Sequence, residues 1–153
     1  MSESAYVAAL KMLARRELSE AQVRQRLARR EHDGDAIDDA IARLKQERAI
    51  DDARVAEAIA RTETAVKRRG KVRVRRQIES AGISSAQARS AVDEAFREID
   101  PAALIESALG KRLRAAATIR DEREFQRLYR YLIGQGFESD QIVKALSARK
   151  NKS

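Results

Sequence analysis

Apolar residues recur three and four positions apart along nearly the whole chain, the spacing that lines one face of a 3.6-residue helix. Helix-start signals divide this pattern. Ser19 with Gln22, Ser84 with Gln87 and Asp121 with Glu124 each place a capping side chain three residues before a Glu or Gln. Asp100-Pro101 puts proline at a first helical position, where its missing N–H is no loss. Gly34, Gly70, Gly82 and Gly136 mark stops or turns. The predicted helices run over 4–17, 20–31, 35–48, 52–69, 71–80, 85–98, 101–115, 122–134 and 139–149.

The pattern repeats on a longer scale. Shifted by 51 and then by 54 residues, Val23, Leu27, Ile37 and Ile41 become Val74, Ile78, Ala88 and Val92, then Leu128, Leu132, Ile142 and Leu146. One turn slot follows suit, with His32, Ile83 and Phe137 preceded by Glu31, Gly82 and Gly136. The economical reading is an all-α chain of three tandem three-helix repeats at 1–50, 51–99 and 100–149, followed by a flexible tail at 150–153. The ends, Met1 to Glu3 and Lys150 to Ser153, are expected to fray.

Composition adds a shape and removes functions. Ala fills 28 of the 153 positions, and Leu, Ile, Val and Phe together only 33. Large core residues are scarce, so an elongated array in which each unit borrows a neighbour to cover its apolar stripe is expected. With no Cys and one His, Cys-based zinc sites, iron–sulfur ligation and thiol nucleophiles are excluded, and no cofactor or metal is expected. No GxxxxGK[ST] or GxGxxG occurs. No apolar run approaches the ~18 residues of a membrane span, and the first residues lack a basic start before their apolar stretch, so a soluble, cytoplasmic protein that meets no membrane is expected. The acid pairs Asp38-Asp39, Asp51-Asp52 and Asp93-Glu94 read as cap, junction and surface residues; small helical repeats rarely supply the pocket an acid–base site needs. The chain does not read as an enzyme.

Charge carries the functional signal. The net charge is +8. Lys67, Arg68, Arg69, Lys71, Arg73, Arg75 and Arg76 put seven cations in ten positions, with no acid between Glu63 and Glu79. Compensating carboxylates four residues away look absent, and such a run, which is usually a solvated face, here points to a polyanionic partner. Arg24, Arg26, Arg29 and Arg30 form a second basic set on the middle helix of the first repeat, with Arg24 the repeat equivalent of Arg75. Lys111, Arg112, Arg114, Arg127 and Arg130 extend the strip in the third, although Arg127 and Arg130 read equally well as solubilising flanks of Leu128 and Leu132. Arg outnumbers Lys 24 to 8. Its planar fork suits phosphates and carboxylates alike, and a GC-rich genome gives the same bias. Net charge rises from +1 over 1–50 to +3 over 51–99 and +4 over 100–153. His32 reads as a turn plug rather than a switch or ligand. Tyr6 is placed in the core with Leu10 and Leu13, whereas Tyr129 sits off the apolar stripe and is the better surface candidate. With three Tyr and no Trp, base stacking has little support.

The stretch ALKMLARRELSEAQVRQRLARR, then AIDDARVAEA, GKVRVRRQIESAGIS and RLYRYLIGQGFESDQIVKAL, resembles in order and spacing the RecX family of recombination regulators, over about residues 5 to 148. The resemblance implies a curved array of three-helix repeats that binds the RecA filament along its helical groove. It further implies restraint of filament extension, ATPase, strand exchange and co-protease action in DNA repair and the SOS response, without catalysis of its own. Two departures stand out. Glu31 and His32 replace the usual Gly and apolar pair, which questions the left-handed helix stop of the first repeat, and Val55 replaces a common Phe. The chain is expected to be a monomer. The rival reading is a helical protein that binds single- or double-stranded DNA non-specifically and acts by occupying it. A scaffold whose charge serves solubility is the third. Reversing the charge of Arg73, Arg75 and Arg76 is expected to leave helicity intact while weakening inhibition.

Overall fold

A computed structural model describes residues 3–113 and 118–150. Among these, nine α-helices follow one another: α1 (Ala5–Arg15), α2 (Glu20–Arg29), α3 (Gly34–Gln46), α4 (Asp52–Arg61), α5 (Lys71–Ser80), α6 (Ser85–Ala95), α7 (Pro101–Leu113), α8 (Glu122–Gly134) and α9 (Ser139–Ser147). The capping signals act as expected. Ser19 and Gln22 close a reciprocal capping box. Ser84 accepts the Gln87 N–H at 3.2 Å, and Asp121 the Glu124 N–H at 2.9 Å.

Two expectations are corrected. The helix predicted over 52–69 stops at Arg61 and continues as a π-helical turn, Thr62–Val66, in which the Lys67 N–H reaches five residues back to the Thr62 carbonyl at 3.1 Å. Thr64 is buried within it, and its hydroxyl donates to the Ala60 carbonyl at 2.8 Å, the local back-bonding that bends helices. Gly34 opens α3 behind the cap residue Asp33 instead of ending a helix. Left-handed stops fall on Glu31 (φ 63°), Arg48 (φ 59°) and Arg68 (φ 55°) as well as on Gly82 and Gly136. The last two positions of the helix predicted to reach 115 lie outside the described residues.

The chain divides into two compact units, Met1–Ile59 with Gln77–Ala91, and Ala60–Arg76 with Val92–Ser153. In the first, α1, α2 and α3 close around Ala8, Ala9, Leu18, Val23, Leu27, Ile41 and Leu44. In the second, α9 packs against α7 and α8, and Ile105, Leu109, Leu132, Ile142 and Leu146 are buried. All twelve residues of the superposed apolar stripe are buried. Tyr6 and Leu13 are half-buried and pack against the core of the first unit, as expected, whereas Leu10 is exposed, which corrects its placement there; the Tyr6 hydroxyl donates to Glu47 and its ring lies under Arg43.

Each unit contains one interlock of a helix start with a turn. In the first, the Ser19 hydroxyl ahead of α2 donates to the Ala81 carbonyl, and a Cβ on Gly82 would overlap the Cβ of Ala21. In the second, the N–H groups of Gly70 and Val72 donate to the carbonyls of Gln135 and Gly136 at 2.9 and 3.0 Å. A Cβ on Gly136 would there overlap Arg73. In the second unit, backbone donors that a helix start leaves unpaired thus meet carbonyls just past a helix end, whereas in the first the donor is a side-chain hydroxyl.

Candidate partner-binding surface

The seven clustered cations all lie in the second unit, which by sequence holds 20 Lys and Arg against 11 Asp and Glu. The first unit holds 12 against 13. The net charge of +8 is therefore a property of one unit, a contrast that division into consecutive thirds conceals.

Within the cluster the side chains have different tasks. Arg73 donates from its guanidinium to the Gly134 carbonyl at 2.9 Å, where a cation also suits the C-terminal end of α8. The Lys71 ammonium lies 5.6 Å from the centre of the Phe96 ring. Arg69 is half-buried, with its Nε shielded from solvent and without a hydrogen-bond partner among the described residues. Lys67 stands 3.5 Å from Glu63, so the run has a carboxylate four residues away after all. Arg68, held in a left-handed turn, and Arg75 and Arg76 on α5 are exposed. Reversal of Arg73 would also remove this contact to the Gly134 carbonyl, so the triple reversal changes the interlock as well as the charge.

The Arg24 guanidinium of the first basic set is bound to Glu20 at 3.1 Å and Asp38 at 2.6 Å. Lys45 takes the other Glu20 oxygen at 2.9 Å. Its hydrogen bonds from Lys45 and then Arg24 hold the Glu20 carboxyl below the usual range, against the opposing effect of burial. Arg26 is half-buried, and Arg29 and Arg30 are exposed. In the third set, Lys111, Arg112, Arg127 and Arg130 are exposed, and Arg114 lies outside the described residues. Lys111, Arg112 and Arg127 border a cleft of about 210 Å³ floored by Leu113 and Leu128. Glu124 sits in it, its carboxyl held low by the Arg120 backbone N–H and guanidinium and by Arg127. Arg112 lies 3.4 Å from the centre of the Tyr131 ring. Tyr129, expected at the surface, is half-buried and hydrogen-bonded to Ser139 at 2.8 Å.

Comparison with known proteins adds the family. Residues 5–44 match the model of the RecX first three-helix domain. Over 148 residues the chain is 31% identical to the regulatory protein RecX of Halorhodospira halophila, spanning 96% of this chain and 89% of the relative. The chain belongs to the RecX family. The RecX of Chromohalobacter salexigens is likewise 31% identical, over 91% of this chain and 88% of its own. The crystal structure of RecX from Lactobacillus salivarius shares the fold, with a TM-score of 0.82 at 19% identity, covering 94% of this chain and 93% of that one. RecX proteins are regulators, not a class of enzymes, and no described helix of this one is long and apolar enough to cross a membrane.

The two departures from the RecX pattern have different outcomes. Glu31 adopts the left-handed stop without glycine, and the His32 N–H closes the turn on the Leu27 carbonyl at 3.2 Å, as Phe137 does on Leu132. Val55 is buried. What residue reading missed is apolar: Val66 is 74% exposed and Val72 42%. The signal was present, because two valines two apart on one helix cannot both face a core, and Val74 is the one on the buried apolar stripe.

Proposed function

We propose that this RecX chain binds the RecA–DNA filament in its helical groove. There it bridges adjacent protomers and restrains filament extension, ATP hydrolysis, strand exchange and co-protease action. The observation that carries the proposal is the cationic excess of the second unit, concentrated at 67–76 and displayed on the exposed arginines Arg68, Arg75 and Arg76. So steep a local charge suits a long anionic assembly. Lys111, Arg112 and Arg130 add exposed cations to the same unit; in the first unit Arg29 and Arg30 are exposed and Arg24 is neutralised.

We further propose tandem three-helix units at 1–50, 51–99 and 100–149. The two interlocks support this reading, because the helix starts at Ser19 and Gly70 are 51 residues apart and the turns at Gly82 and Gly136 are 54 apart, the shifts that superpose the apolar stripe.

The test is the DNA-dependent ATPase of RecA, titrated with this protein at ratios too low to coat the DNA. Inhibition there is the expected result. Inhibition only when the DNA is saturated would reject filament binding in favour of competition for the lattice.

A further inference from the structure

The proposed function leaves open whether the exposed cations at 67–76 meet phosphates or protein. We infer that the edge of the second unit formed by Val66, Val72 and Ile133 with Arg68 and Arg76 is a protein-docking surface, made for an acidic protein face with an apolar centre. This rests on the filament-binding reading and assigns the edge to the filament's protein subunits rather than to its DNA.

Val72 and Arg76 stand four residues apart on α5, hence on one face of the helix, and both are exposed. The interlock brings α8 to the same place. The Val72 N–H donates to the Gly136 carbonyl at 3.0 Å, and the Gly136 N–H donates to the Ile133 carbonyl at 3.0 Å, so both apolar residues flank one glycine. Ile133 is 42% exposed, like Val72. Val66 is the most exposed of the large hydrophobics and closes the π-helical turn two residues before Arg68.

A phosphate-binding strip needs cations and amides and gains nothing from uncovered aliphatic groups among them. Single-stranded bases would need aromatic platforms, and this edge presents valine and isoleucine instead. Apolar residues ringed by arginine are the composition of protein interfaces, where removing the aliphatic surface from water adds affinity and the rim charges select an acidic partner.

The experiment compares the full chain with a V66S/V72S double variant, and with a charge reversal, R68E/R76E. Two readouts are used: half-inhibition of the RecA ATPase on single-stranded DNA, and binding to a labelled oligo-dT strand without RecA. V66S/V72S is expected to raise the half-inhibitory concentration at least tenfold while oligo-dT affinity stays within twofold; Val72→Thr, which keeps the branched shape, should move inhibition in the same direction. R68E/R76E should also lose inhibition. Unchanged inhibition by V66S/V72S, or a parallel loss in both readouts, would overturn the protein-docking assignment and return the edge to nucleic acid. Failure of the unmodified chain to inhibit below DNA saturation is a separate result that rejects the filament reading itself.

Discussion

Glu31, Gly82 and Gly136, spaced 51 and 54 residues apart, each end a helix in a left-handed turn and show what a residue there must satisfy. At Gly136 two demands coincide: a φ of 98°, and backbone so close to Arg73 that a side chain has no room. Glu31 meets only the first, with a φ of 63°. Gly136→Ala should therefore lose about 2–4 kcal/mol of stability. Glu31→Gly should gain up to about 1 kcal/mol, as relief of left-handed strain exceeds the added freedom of the unfolded chain. Urea unfolding midpoints measure both, and a large loss in Glu31→Gly would contradict the view that its left-handed strain outweighs the added freedom of the unfolded chain.

At the scale of elements, side chains that join loops are separable from those that only coat helices. Arg73 ties the start of α5 to the end of α8. Arg73→Met should cost about 1–2 kcal/mol, whereas Arg76→Met should stay within about 0.5 kcal/mol, both read from thermal melts. In the first unit, Arg54 holds Glu17 with two hydrogen bonds and donates to the Arg48 carbonyl that precedes α4. Glu17 is held below the ordinary carboxylate range by that Arg54 bond, Glu20 by Lys45, and Glu47 by the Tyr6 hydroxyl and Arg43. A carboxyl lowered in the folded state adds stability above its unfolded pKa, and this contribution is lost as pH falls through the folded value. Stability should be flat from neutrality to about pH 5 and decline below about 4.3. Glu20→Gln should flatten that decline in melts recorded across the range; an unaltered profile would show that its bonds to Lys45 and Arg24 contribute nothing.

For the whole molecule the decisive quantity is the partition of charge. One unit is nearly neutral, and the other has nine more cations than carboxylates. Reversal at Arg68 and Arg76 should therefore weaken the proposed inhibition of RecA more than reversal at Arg29 and Arg30, and should reduce its salt dependence more. Equal effects in an ATPase titration at two ionic strengths would mean that local exposure, not the field of the unit, governs binding.

The sequence by itself determined the helices, their caps and the buried stripe, because helix starts are local chemistry and burial follows a 3.6-residue period. It also determined the family, through the order of four separated segments. Tertiary structure decided which cations are available. Arg24 is neutralised by Asp38, fourteen residues away, and Arg73 is spent on a carbonyl sixty-one residues away, partners that no local pattern discloses. The π-helical turn follows from a balance between the Thr64 hydroxyl and the helix ladder that helix periodicity does not resolve. Glycine at 136 looked like a stop in either case. Only the packing of α5 against its turn shows why a side chain has no place there, since close approach is a property of two segments and not of one.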